Sequence, residues 1–215
     1  MTRSARMAVA GVTLGPLVAL SGPALARPAA VTPPTTVRTI TPVTATGTLA
    51  PGYTIARHYG NANCASGSPT VGKAYQCFTP ASPVGIYDAC WVQANHHYVL
   101  CIEKPWQRKV TRLHVTRGYG DSSGFMTVHR PWGARLGSRI RCLVILGPVH
   151  AIHGKPRRYL CNHKIVLAGK ITRRGTSWRA AEYRKIRHRG HRTTYRSLGR
   201  HPAAVVWFGK ASVKD

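Results

Sequence analysis

The chain has 215 residues, with 32 Lys and Arg against 5 Asp and Glu, 11 His, 6 Cys and 43% apolar residues, a formal net charge of +27. That length accommodates one domain or two small ones with a real core, and the apolar fraction is too high for a wholly disordered chain. The five carboxylates, Asp88, Glu103, Asp121, Glu182 and Asp215, nearly exclude an all-carboxylate calcium or magnesium cage and argue against a glycosidase-type acid pair.

In chain order, Arg3 and Arg6 open the sequence, residues 7–20 are uncharged and mostly apolar, and Ala24-Leu25-Ala26 supplies a small-x-small cleavage pattern. These are the three regions of a secretory signal peptide, expected over 1–26. The apolar stretch, interrupted by Pro16, falls short of the roughly 20 residues that cross a bilayer. No later window is apolar enough to span one, so the mature chain is expected to be soluble and exported, and cell-wall association fits its charge. Residues 27–51 hold 5 Pro and 8 Thr with no aromatic residue and no cysteine. Such a stretch is expected to be an extended linker.

All six cysteines, at 64, 77, 90, 101, 142 and 161, follow that linker. An even count in an exported chain reads as disulfides. Fifteen pairings exist and the sequence does not choose among them. The expectation is neighbour with neighbour, Cys64–Cys77, Cys90–Cys101 and Cys142–Cys161, each closing a short loop. No C-x-x-C pair occurs, so zinc-ribbon and thioredoxin-like sites lose their usual signature.

From 52 to 215 the sequence reads as one cysteine-stapled β-rich domain, with a subdivision near 117 as the alternative. Strands are expected at 75–78, 85–92, 98–102, 110–116, 125–129, 140–146, 159–161, 165–168, 178–186 and 204–208. Residues 110–115 alternate apolar with polar for part of their length, and glycines punctuate the second half at turn-like intervals. No capped amphipathic helix is evident. The fold class is mainly β, a disulfide-stapled sandwich or partly closed barrel of short antiparallel strands.

The stretch Asn63-Cys64, Ser68-Pro69, Ala74-Tyr75-Gln76-Cys77, Ile86-Tyr87-Asp88-Ala89-Cys90-Trp91, Val99-Leu100-Cys101 and Pro105-Trp106 resembles a set of exported actinobacterial proteins of unassigned function. A segment similar to Pro131-Trp132-Gly133-Ala134-Arg135-Leu136, Arg141-Cys142 and then Tyr159-Leu160-Cys161 continues their pattern. The resemblance covers roughly residues 60–165 and rests on cysteine and tryptophan spacing. It supports the neighbour pairing of cysteines and implies no activity. The C-terminal third departs from it in being far more basic.

Charge is the strongest functional signal. Residues 1–103 hold 6 Lys and Arg and 2 acids, whereas residues 104–215 hold 26 and 3. Within 173–200 there are 10 Lys and Arg and one acid, Glu182, with Trp178, Tyr183 and Tyr195 interleaved. A field this lopsided attracts polyanions and steers their encounter. The candidate contact set is Arg173, Arg174, Arg179, Arg184, Lys185, Arg187, Arg189, Arg192 and Arg196, whose guanidinium forks chelate phosphate oxygens. The candidate partners are wall polymer, nucleic acid or an anionic lipid surface. Tyr183 and Tyr195 are candidates for stacking, and Trp178 for core packing. Arginine outnumbers lysine 23 to 9, which a GC-rich genome favours by itself, but that bias does not explain the shortage of acids. A solvated basic surface with no specific partner is the bland alternative. Sequence-specific DNA recognition is not expected, since no helix-turn-helix or zinc-finger spacing occurs.

Three catalytic patterns compete with this reading. Gly120-Asp121-Ser122-Ser123-Gly124 resembles the surroundings of a trypsin-like serine, with His58 and Asp88 preceding it, but the second glycine is replaced and the spacing is too compact. His150, His153, Cys161 and His163 have the ligand types of a zinc site, unless Cys161 lies in a disulfide. His96, His97, His114 and His129 sit on or beside expected strands and suit a secreted histidine-dependent ribonuclease or phosphodiesterase, which needs no carboxylate. No cofactor motif is present. The reading these observations favour is a secreted, non-enzymatic, envelope-associated protein that binds anionic polymers, with the nuclease as the alternative.

Overall fold

The computed structural model describes residues 32–80, 85–122, 130–146, 149–188, 190 and 192–210. The strands are β1 (Thr36–Ile40), β2 (Thr54–Gly67), β3 (Tyr75–Thr79), β4 (Gly85–Val92), β5 (Tyr98–Ile102), β6 (Lys109–Asp121), β7 (Gly133–Leu136), β8 (Ile140–Val144), β9 (Ala151–Ile152), β10 (Lys155–Cys161), β11 (Ile165–Arg174), β12 (Ser177–Arg187) and β13 (Thr193–Gly209). The mainly β, disulfide-stapled architecture expected from the sequence is what forms. Among the described residues no helix is long and apolar enough to cross a membrane. The expected signal peptide and the strand at 125–129 lie outside the described residues.

Strands β2 to β6 form a closed barrel, shut by a parallel pairing of β2 with β6 in which Ile55 faces Val110 and Tyr59 faces Leu113. Its interior holds Ala62, Cys64, Cys77, Cys90, Val99, Cys101, Leu113 and Val115. Strand β5 explains why its sequence is a continuous apolar run rather than an alternation. Val99 and Cys101 point into the barrel, while Leu100 and Ile102 join a larger core outside it. A strand buried on both faces has no polar side.

The second sheet has the order β1-β13-β12-β11-β10-β8-β7, with β9 attached to β10, and curls back on itself through a pairing of β13 with β7. Its core is bulkier, with Tyr159, Ile165, Leu167, Ile171, Val206 and Trp132 among its members. That core includes Ala89, Trp91, Leu100 and Ile102 of the first barrel, so the two sheets share it. Tryptophans mark the seam. Trp91 and Trp132 lie 6.0 Å apart and Trp106 and Trp207 5.7 Å, with tilted rings, and Trp91 Nε1 donates to the Lys210 carbonyl at 2.9 Å.

The disulfides are Cys64–Cys77, Cys90–Cys101 and Cys142–Cys161. Two follow directly from register, since Cys90 faces Cys101 and Cys142 faces Cys161 across paired strands.

The structure departs from the sequence reading in two respects. Strands β2, β6 and β13 run to 14, 13 and 17 residues, and two pairings, β1 with β13 and β2 with β6, are parallel. The sequence reading expects short antiparallel strands, so the length of these three and the two parallel pairings are what the structure adds. A long strand can serve several neighbours in turn, and β13 pairs with β12, then with β7 and β1. The second departure is in the Pro/Thr-rich stretch, expected as a linker. Thr36–Ile40 forms β1 beside β13, Thr35 Oγ1 donates to the Ala203 carbonyl at 2.6 Å, and Val43 is buried. Threonine reads as polar in composition, yet its branched Cβ suits a strand and its hydroxyl is satisfied by the neighbouring backbone.

Candidate anion-binding surface

The β11–β12 hairpin carries the first half of the basic tract. Thr172 faces Arg179, Arg173 faces Trp178 and Arg174 faces Ser177 in register. On the other side of β12, Ala181 faces Arg200 of β13. Alternation along β12 places Arg179 and Ala181 on one face, so Arg200 is carried to the same face as Arg179. A bulge in β13 next to Gly199, whose φ of 95° suits glycine, sets this register.

Thr172, Arg173, Arg174, Arg179 and Arg200 consequently surround a hollow of about 360 Å³. Three of the guanidinium groups are held from behind. Arg179 Nη2 donates to Thr32 Oγ1 at 2.6 Å, Arg200 Nη2 to Thr172 Oγ1 at 2.8 Å, and Arg173 Nε to the Gly175 carbonyl at 2.9 Å. Among the described residues no acidic side chain pairs with any of them, the ion pair found being Arg57–Glu103 at 3.6 Å on the first barrel. Each guanidinium has five N–H donors, so most donors at this hollow remain unused.

The rest of the expected contact set is spread along β12 and β13. Arg184 stands directly opposite Arg196, Lys185 opposite Tyr195 and Arg187 opposite Thr193. Arg184, Arg187, Arg192 and Arg196 are exposed and Lys185 is half-buried. Arg189 lies outside the described residues. By the same alternation Lys185 and Arg187 share the face of Arg179, whereas Arg184 and Arg196 lie on the opposite face beside Glu182. Over about 26 Å of strand the tract is therefore spread across both faces rather than gathered at a single point. Arg200 is the functional candidate that the sequence reading left out of its contact set. Only the β12–β13 register brings it to Arg179, which lies 21 residues earlier.

The aromatic residues divide differently from expectation. Trp178 packs against Phe208 at 5.4 Å beside the main core, as expected of a core residue. Tyr183 is only 6% exposed and stacks on His153 at 5.6 Å, so its ring is not available to a nucleotide base. Tyr195 is partly buried against the same small cluster.

Among the described residues the catalytic patterns do not assemble as read; Ser123, Gly124 and His129 lie outside them. Asp88 is buried, and its Oδ2 accepts a hydrogen bond from Thr70 Oγ1 rather than from His58. His58 lies on β2 beside Arg112. Cys161 is bound to Cys142 and supplies no thiolate. The one group of converging ligand atoms among the described residues is Cys77, Cys90 and Cys101, all in disulfides. His96 occupies a turn in the left-handed region with φ 55°, and His97 contributes its carbonyl to Val115 N–H. His114 does have a patterned neighbourhood. It faces Tyr98, whose ring it meets at 5.0 Å, and the Arg112 guanidinium lies 3.8 Å over the same ring.

A second hollow, of about 150 Å³, lies between the sheets with Asp88, Glu103, Trp132 and Leu143 among its walls. Burial pushes the Asp88 carboxyl up to about 6, against hydrogen bonds from Ser68 and Thr70 and the Arg130 charge. Its Oδ1 has no hydrogen-bond partner among the described residues.

No protein family, no curated protein and no solved structure matches this chain.

Proposed function

We propose that this is an exported, non-enzymatic protein that associates with anionic polymers of the cell envelope through the arginines of β11, β12 and β13. The observation that carries the reading is the set of arginines on these strands, none of which forms an ion pair with a carboxylate among the described residues, the buried Glu182 included. Arg184 directly opposite Arg196 is a like-charge cross-strand pair, which destabilises a sheet by itself. A bound polyanion removes that repulsion and releases its own counterions, so affinity rises with every phosphate neutralised. Three disulfides accord with an oxidising, extracellular compartment.

The test is a salt titration of binding to wall polymer, RNA, DNA and a neutral glycan. Log affinity for each anion falls steeply with log salt and the neutral glycan does not bind. Absence of binding to every anion at low salt rejects the reading.

A second reading has a specific observation of its own. His58 lies opposite Arg112 across β2 and β6, and His114 follows Arg112 by two residues on the same face of β6. One face of the first barrel therefore carries two imidazoles and a cation, the groups that phosphodiester cleavage uses. RNA cleavage in the presence of a chelator, lost in His58→Ala and His114→Ala, establishes it. No turnover at micromolar protein rejects it.

A further inference from the structure

We infer that the hollow framed by Thr172, Arg173, Arg174, Arg179 and Arg200 is a site for one dianionic phosphoryl group, a phosphomonoester end rather than the diester interior of a polymer. The inference rests on the anion-binding reading above and narrows its ligand. Four guanidinium groups gathered around about 360 Å³, with no acid among the walls, repel one another until a multiply charged anion enters. A phosphodiester brings one negative charge and two free oxygens. A phosphomonoester brings between 1.5 and 2 charges at neutral pH, its second pKa being about 6, and three strong acceptor oxygens.

The donors suit that tetrahedral, three-oxygen group. Guanidinium forks bind phosphate oxygens in pairs. Arg173, Arg179 and Arg200 are each braced by one hydrogen bond to Gly175, Thr32 and Thr172, so less side-chain freedom is lost when an anion arrives. Thr172 accepts from Arg200 through its oxygen, which leaves its own O–H to donate. The remaining arginines of the tract, Arg184, Arg187, Arg192 and Arg196 among the described residues, are exposed and supply non-selective attraction for the polymer behind its end. The shared chemistry has two sources, the terminal phosphate of a soluble polymer and a phosphomonoester headgroup on a lipid surface.

The experiment measures affinity of the full chain for glycerol 3-phosphate, dimethyl phosphate and acetate at 150 mM salt, with Arg174→Lys/Arg179→Lys/Arg200→Lys as the variant. Lysine keeps the charge and removes the forks, so long-range attraction is preserved. The expected result is preference of the native chain for glycerol 3-phosphate over both monoanions, at least tenfold weakened in the variant, with the salt slope on RNA unchanged. Lowering the pH from 7.5 to 5 reduces affinity for glycerol 3-phosphate about tenfold, following the dianion fraction. Equal affinity for the diester, or a variant that binds as the native chain does, overturns the inference and leaves general polyanion binding intact. Preference for glycerol 3-phosphate without binding to any polymer upholds the hollow and rejects the broader reading. Arginine Nε–H resonances followed during phosphate titration of the native chain give a check independent of variant folding. Shifts confined to the four hollow arginines support the site, and shifts spread along the tract overturn it. Phosphate-terminated oligomers and vesicles bearing a phosphomonoester lipid separate the two sources.

Discussion

The two sheets reach stability by different means. The first barrel encloses four half-cystines together with Ala62, Val99, Leu113 and Val115, a buried filling of small side chains against which Tyr75, Tyr87 and Tyr119 pack while partly exposed. The second sheet packs Tyr159, Leu167, Ile171, Trp132 and Val206 around a single disulfide. Charge is distributed the opposite way. Residues 54–121 carry seven Lys and Arg against three acids, and residues 133–209 carry eighteen against one. A sheet with a bulky core tolerates the repulsion of a nearly uncompensated surface, because burial of apolar area outweighs screened charge–charge terms. A small core has less to offset chain entropy, and cross-links that limit the unfolded ensemble take over part of that role.

The largest test of this contrast removes the sulfur. Replacing Cys64, Cys77, Cys90 and Cys101 by serine is expected to cost about 6 kcal/mol from the two lost cross-links alone and to unfold the first barrel. The Cys142→Ser/Cys161→Ser variant loses about 3 kcal/mol and retains both sheets. Chemical denaturation followed by tryptophan fluorescence and amide protection separates the outcomes. Equal losses in the two variants would remove the distinction between the barrels.

The seam between the sheets supplies the next test. Burial raises Asp88 from 3.8 to about 6, so folding disfavours its charged form. Well below pH 3.8 both states are protonated and no penalty applies. As pH rises through the window from 4 to 6, the unfolded chain loses this proton first, and the penalty grows to about 3 kcal/mol at neutrality. The native chain therefore gains stability from this group on acidification, the reverse of the usual behaviour of carboxylates. Asp88→Asn abolishes the gain, read as the difference between the two stability–pH curves, and a difference that is flat across this window contradicts the assignment.

On the basic sheet, changing Arg174, Arg184 and Arg196 to Glu lowers affinity for RNA or wall polymer by well over tenfold while the thermal transition remains cooperative. Unchanged affinity would make the tract a solvated face only. The smallest effect concerns the second core. Tyr159 Oη donates to the Pro131 carbonyl at 2.7 Å in a fully buried position, and burial raises its pKa. Tyr159→Phe leaves that carbonyl unpaired and costs about 1 kcal/mol, measurable as a shift in denaturation midpoint at unchanged slope.

Much of this architecture is written locally. Strands β4 and β5 begin and end where the residues between turns change character, at Gly85–Val92 and Tyr98–Ile102. Cys90 and Cys101 face each other across the β4–β5 hairpin, whereas Cys142 and Cys161 meet across β8 and β10, between which β9 intervenes in the chain. Strands β2 and β7 were not legible. The first eight residues of β2 are nearly all exposed, so no periodicity marks them, and β7 has only four residues.

The sequence by itself determined the β class and the concentration of charge after residue 104, because each depends on residue type and short spacing, while the neighbour pairing of cysteines was an expectation that the strand register decided. Only the tertiary structure decided that β2 closes against β6 in parallel, that part of the Pro/Thr-rich stretch lies beside β13, and that Arg200 meets Arg179. Each of those contacts joins residues distant in the chain. Their pairing is set by which arrangement buries the most apolar surface while satisfying the backbone, a property of the whole fold that no local window contains.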